Sequence, residues 1–432
     1  MARRERPSRP PGPRGRLLTG NTHAYEADRI GFLRRCHAEY GDVFSFDEQT
    51  VFVIDPEVTH QVLARTGESF VTELAPFDMR RDLDQATAQA TEWMSARRAA
   101  WPGLNRSAAA ASDHRTVEIL DAVMADSAAR EVDVLTTMRA FSARAIADYC
   151  FGTDAADVPG LLHEIIRATQ PFTDSSYEFP AWLPIPRHRQ FFRSYRRLSG
   201  GLTGVVRQRR AANAADPRND LLGLLLDADP DLPDDTVTST LHSILMGGHG
   251  VPAAALTSLV WELARRPLLA GDLRDEANGP AGAGAPLSAA RLPLAEAVVR
   301  ETLRLYPPAW LMTRTARTTT ALGDWSVSPG DDVLLNAYLI HRDPRWWQRP
   351  DEFDPTRWLN GRSGPGPSYL PFGAGPRVCL GSTLAMRQLT LATSRIAQHF
   401  TIESSNASSV VPRFVGRLAP AGLRARFAPI RH

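Results

Sequence analysis

Near the C-terminus the chain reads Phe372-Gly-Ala-Gly-Pro-Arg-Val-Cys379-Leu-Gly381, followed by a helical run from Ser382 to Phe400. Three glycines and a proline around one cysteine predict a tight, exposed backbone loop. A cysteine just before a helix start is stabilised as thiolate by free backbone N–H groups and the helix dipole. A lone thiolate is a strong metal ligand. Gly381 leaves room for a large flat partner to approach.

Upstream, Leu294, Val298, Glu301 and Leu305 share one stripe of a helix, so Glu301 sits on an otherwise apolar face. A buried carboxylate needs partners. Arg304 is three residues on and on the same face. Further on comes Phe353-Asp-Pro-Thr-Arg357-Trp358. Trp93 and Arg97 form a Trp-x-x-x-Arg pair at helical spacing, with two N–H donor groups aimed the same way. Arg314 lies in Met312-Thr-Arg-Thr-Ala316.

The cysteine loop resembles the haem-binding loop of the cytochrome P450 family: Phe, two residues, Gly, one residue, Arg, one residue, Cys, one residue, Gly. The entry Pro10-Pro-Gly-Pro13, the segment Glu39 to Val43, the Glu-x-x-Arg helix and His341-Arg-Asp-Pro344 also fit. The resemblance therefore covers nearly the whole chain after the first residues. It implies that Cys379 is the axial thiolate of a haem b. It implies that Phe372 packs beside the sulfur, that Trp93, Arg97, Arg314 and Arg377 meet the propionates, and that Glu301, Arg304 and Arg357 form a buried triad. The family usually has Glu where this chain has Thr356.

One helix departs from the family. Thr236 to Ala264 contains Leu245-Met-Gly-Gly-His-Gly-Val-Pro-Ala253. In a helix interior each glycine costs roughly 1 kcal/mol relative to alanine, and a proline roughly 3. Pro252 removes the hydrogen bond to the Gly248 carbonyl and predicts a kink; the alternative is two helices with a glycine-rich break. In the family this helix crosses the distal haem face, reading Ala or Gly, Gly, any residue, an acid, then threonine. Gly247, Gly248 and His249 match, but Gly250 replaces the acid and Val251 the alcohol. Neither can relay a proton through its side chain. Three routes stay open. A hydroxyl or carboxyl of the substrate holds the proton-delivering water, another side chain such as His249 does so, or the oxidant is hydrogen peroxide or the reaction a rearrangement. Gly248, His249, Gly250 and Val251 are thus the candidate distal residues. A catalytically silent haem-binding sensor is the reading from another class.

These groups must be positioned by a mostly helical frame. Helical periodicity runs through Val117 to Ala128, Leu198 to Ala212, Thr236 to Ala264, Leu294 to Leu305 and Ser382 to Phe400. Val43 to Phe46 and Val51 to Ile54 predict one hairpin. Trp325 to Leu335, with a Pro329–Gly330 turn, predicts another. Glu276 to Pro286 predicts a surface loop between two helices. The expected fold is mostly α with small β-sheets, an α+β class, in a single large domain of the cytochrome P450 kind over residues 17–432. Residues 1–16, with six arginines and four prolines, are expected to form a solvated proline-rich tail.

Composition sets the outer bounds. The 432 residues carry 50 basic and 48 acidic side chains, a formal net charge of +2, and no lysine. That balance argues against a dedicated nucleic-acid binder. Hydrophobic content of 43% excludes whole-chain disorder. Three scattered cysteines exclude a disulfide framework and fit a reducing compartment. No secretory signal and no membrane anchor are recognised. The resemblance implies a cytoplasmic bacterial monooxygenase acting on a small apolar metabolite in secondary metabolism. A separate ferredoxin and ferredoxin reductase would supply its electrons. Aromatic residues Phe172, Tyr177, Phe179 and Trp182 are expected near an access channel, and Thr72 to Thr91 departs from the family pattern.

Overall fold

The computed structural model describes residues 9–16, 20–72, 83–127, 130–154, 157–173, 185–212, 220–279, 287–359 and 366–430. Helices begin where the sequence supplies caps. The Asp133 carboxylate accepts from the Thr136 N–H at 2.8 Å and starts Val134–Phe151. Asp220 does the same for Leu221–Ala228 through the Gly223 N–H. Pro293 opens the helix Pro293–Leu305. Its first N–H groups are held from outside the helix, with Leu294 and Ala295 donating to the Glu276 carboxylate at 2.6 and 3.0 Å. The expected loop therefore begins after Asn278, where the helix Pro267–Asn278 ends; residues 280–286 lie outside the described residues.

The longest helix, Asp234–Arg265, runs unbroken across Pro252, so the two-helix alternative is not what forms. Every residue from Pro252 to Leu263 is buried. A helix apolar on all sides belongs in a core. Val134–Phe151, Pro186–Ala212 and Ser382–His399 pack around it. By length and composition this is a helix that could cross a membrane, yet 67% of that window is buried inside the fold.

The largest sheet orders its strands Val43–Ser45, Thr50–Val53, Asp332–Leu335, Met312–Ala316 and Phe70–Thr72. Val43 faces Val53 across the expected antiparallel hairpin. Thr50–Val53 runs parallel to Asp332–Leu335, with Val51 opposite Val333. The second expected hairpin does not form. Trp325–Val327 pairs with Thr320–Leu322, whereas Asp332–Leu335 joins the large sheet. The Pro329–Gly330 turn separates two sheets because Asp332–Leu335 finds paired neighbours on both sides. Smaller sheets are Glu131–Asp133, Arg424–Pro429 and Phe400–Glu403, and the ribbon Arg413–Val415 with Arg417–Ala419.

The proline-rich entry is packed earlier than residue 17. The Ser45 hydroxyl donates to the Pro10 carbonyl at 2.7 Å and the Ser45 N–H to Pro11 at 2.8 Å. Arg9 pairs with Asp331 at 2.8 Å. Residues 1–8, 73–82 and 174–184 lie outside the described residues. With them go Tyr177, Phe179 and Trp182, the side chain of Phe172, and the center of the Thr72 to Thr91 stretch.

Candidate cofactor site

The cysteine loop closes on itself before the last long helix starts. The Cys379 N–H donates to the Phe372 carbonyl at 2.9 Å. Gly373 and Gly375 hold φ of 69° and 70°, and a Cβ on Gly375 would stand 2.3 Å from the Leu63 carbonyl oxygen. Only glycine fits there. Gly381 is the N-cap of Ser382–His399, and a Cβ on it would meet nothing within 4 Å, so that side of the loop is open.

Cys379 is exposed, yet burial pushes its thiol above the ordinary value. The residue is accessible while its thiol is shielded by the surrounding protein. The Gly381 N–H and the Arg97 guanidinium pull its pKa the other way. Phe372 lies beside this loop and packs on the main core cluster.

Arg97, on the helix Leu83–Ala100, donates to the Val378 carbonyl at 2.5 Å, which seats its guanidinium next to Cys379. Arg377 is pushed down to about 10, first by burial and then by the like charge of Arg97. Arg314 donates to the Thr66 hydroxyl at 2.9 Å and to the Thr313 carbonyl at 2.7 Å. Trp93 is on the same helix as Arg97, and its side chain lies outside the described residues. Arg97 thus acts on the Cys379 thiol and on Arg377 alike. A soft sulfur donor with arginines able to take carboxylates fits an iron porphyrin with propionate arms.

The buried triad is more extensive than its sequence signature. Glu301 and Arg304 are both fully buried. Arg304 donates to both Glu301 oxygens at 2.9 and 2.8 Å. Arg357 reaches Glu301 Oε1 at 3.2 Å. The Trp358 indole N–H and the Asp354 backbone N–H, both at 2.9 Å, complete the carboxylate. The other Arg304 protons go to the carbonyls of His341, Pro350 and Glu352. Thr356, the family departure, stays outside this network and bonds Asp354.

On the central helix each glycine has a separate neighbour. A Cβ on Gly248 would lie 2.5 Å from Ile146 Cγ1, so its absence lets Val134–Phe151 approach. A Cβ on Gly247 would meet nothing. A Cβ on Gly250 would stand 3.1 Å from Cζ of Arg417. His249 is enclosed at 1% exposure, and neither ring nitrogen has a hydrogen-bond partner among the described residues. Burial, and then Arg139, Arg417 and His163, push its pKa down to about 3. Val251 is half-buried beside them. Sequence reasoning did not single out Arg417. In a chain whose 50 basic residues are all arginine, no pattern marks one of them.

The chain matches the family model "Cytochrome P450" over residues 10–420. Cyclooctatin synthase of Streptomyces melanosporofaciens is 34% identical over 303 residues, covering 66% of this chain and 65% of that protein. Cyclooctat-9-en-7-ol 5-monooxygenase of the same organism is 28% identical over 63% of this chain and 62% of its own length. The crystal structure of the cytochrome P450DA heme domain superimposes with a TM-score of 0.84 at 21% identity, covering 99% of this chain and 98% of that one. The matched span, the mostly helical fold and the cysteine loop agree: the chain belongs to the cytochrome P450 family of oxidoreductases, whose fold binds haem b through a cysteine thiolate.

Proposed function

We propose that the chain is a monooxygenase of a small, largely apolar metabolite, with Cys379 as the axial ligand of haem b. The observation that carries this reading is the Cys379 loop itself: an exposed cysteine with a shielded thiol just before a helix start, beside Arg97 and Arg377. Bound there, the haem supplies the redox chemistry. The chain does the rest. Arg97, Arg314, Arg377 and Trp93 would hold the propionates. Glu301, Arg304 and Arg357 fix the core on that side. The glycine-rich turn of the central helix and Val251 form an apolar distal floor.

His249 is enclosed and kept neutral, which weighs against it as a proton carrier. That favours a polar group of the substrate in this role. The names of the two Streptomyces relatives, one acting on an alkenol, support a hydrocarbon-rich substrate and a place in bacterial secondary metabolism. Outside the cysteine loop a depression of about 470 Å³ is lined by Arg106, Arg300, Phe372 and Arg387. In this reading a separate ferredoxin with its reductase supplies the electrons, in the cytoplasm.

The test is spectroscopic first. Cys379→Ser should keep haem while losing the thiolate signature of the reduced carbon monoxide complex. An unchanged signature would end this assignment. Product formed with ferredoxin and reductase supports the monooxygenase. Product formed with hydrogen peroxide alone points to a peroxygenase, and ligand binding with no product under either donor points to a sensor.

A further inference from the structure

Arg417 lies against the central helix beside Gly250. It follows Gly416, whose φ of 57° makes the tight turn between Arg413–Val415 and Arg417–Ala419. The next residue, Leu418, is fully buried, and its N–H donates to the Pro308 carbonyl at 3.1 Å. Strand alternation then turns Arg417 to the opposite face, onto the central helix. There Cζ, Nη1 and Nε stand 3.1, 3.2 and 3.3 Å from the point where a Gly250 side chain would begin. The guanidinium occupies the place of a side chain at position 250.

Among the described residues Arg417 donates no hydrogen bond and pairs with no acid. Burial and the like charge of Arg139 both disfavour its charge. Its surface is nevertheless accessible while Gly250 beneath it is buried. An arginine shielded from bulk water and lacking a counter-charge is costly unless a ligand supplies one. An acid at 250, the residue type the family places there, would close on this guanidinium and neutralise it. Glycine leaves it available.

We propose that Arg417 is the anchor for a carboxylate on the substrate, received beside Gly250 on the distal side. The inference rests on the haem-thiolate reading and narrows its substrate class to an apolar body bearing one acid group. The guanidinium fork matches a carboxylate with two parallel N–H donors. The substrate then brings its own acid to the point where the helix has none. That accounts together for Gly250, for the unpaired Arg417 and for the missing acidic residue.

The probe series is a ladder of imidazolyl-alkanoic acids, short chain to long, each with its methyl ester. The imidazole ligates iron whatever the natural substrate, and the far end reports on Arg417. Binding is read as the optical shift of ferric protein, without turnover. On the rungs that reach the guanidinium the acid should bind on the order of tenfold or more tighter than its ester. Arg417→Leu should erase that ratio, and Arg417→Lys should keep part of it. Gly250→Asp should erase it with Arg417 intact, which covers the case of a poorly folded Arg417 variant. A ratio near one on every rung, with the esters ligating normally, overturns the inference, as does a ratio that survives Arg417→Leu. Esters that never ligate the iron overturn the haem reading instead, which is a separate failure.

Discussion

At the scale of the residue, the site depends on charges held where water cannot screen them. Glu301 accepts from Arg304, Arg357, Trp358 and the Asp354 N–H, all within the fold. Replacing such a pair whole can be neutral, but removing one member leaves the others uncompensated. Glu301→Gln keeps the shape and removes the charge facing two arginines. We expect it to cost about 3–5 kcal/mol in denaturant unfolding, enough to deplete haem-loaded protein. The half-exposed pair Glu296–Arg300, 2.6 Å apart on the same helix, provides the contrast. Glu296→Gln should cost less than about 1 kcal/mol. Equal losses would mean that burial is not what gives the triad its weight. Sequence spacing revealed Glu301 with Arg304 because both lie on one helical stripe. Its contacts to Trp358 and the Asp354 backbone were hidden, since they come from a segment about fifty residues on that reaches Glu301 only by tertiary packing.

At the scale of the element, the central helix shows why glycine spacing alone is ambiguous. Its glycines read as a uniform cost in sequence, but each faces a different neighbour in the fold. Gly248→Ala drives a methyl into Ile146 and should destabilise by roughly 1–3 kcal/mol. Gly247→Ala meets nothing and should be neutral or stabilising by up to about 1 kcal/mol. Opposite signs for adjacent, chemically identical changes would be seen directly in urea midpoints. Ile146→Ala should cost less in the Gly248→Ala background than alone, because the two side chains compete for one space. Additive losses would contradict this packing. The strand Asp332–Leu335 teaches the same lesson. Its alternation was legible, but its partners were not, because parallel pairing with Thr50–Val53 brings together segments far apart in sequence. Helix extents were legible in part: Ser382 to Phe400 and Leu294 to Leu305 differ from the observed helices by one residue, whereas Leu198 to Ala212 misses the first twelve residues of Pro186–Ala212.

At the scale of the whole molecule, two enclosed histidines couple the fold to acid. His341 is fully buried, its Nδ1 is 3.0 Å from the Arg304 carbonyl, and its Nε2 accepts from the Leu370 N–H at 2.8 Å. That pairing fixes the proton on Nδ1 and leaves no room for a second. Burial pushes its pKa down to about 3; the Arg304 carbonyl that faces Nδ1 works against this, and the charges of Arg304 and Arg342 reinforce it. His249 is pushed to about 3 by burial and by Arg139, Arg417 and His163. His242 is lowered by burial as well. A histidine whose folded pKa lies below its unfolded value binds its proton only on unfolding. Stability is therefore full above about pH 6.5 and falls as pH drops from there toward 3, by about 1 kcal/mol per pH unit for each histidine. Asp42 and Asp354, lowered by Arg345 and by Thr356 with nearby arginines, add their losses only in the carboxylate range below. Glu276, raised by burial, acts in the opposite sense just above its ordinary value. The window from pH 6.5 to about 5 thus belongs chiefly to the histidines. Urea midpoints should fall across that window in the parent protein. His341→Gln should be less stable at neutral pH yet show a shallower slope, since one proton uptake is gone. A flat parent profile, or a slope unchanged by the substitution, would mean that these histidines are not the groups that tie the fold to pH.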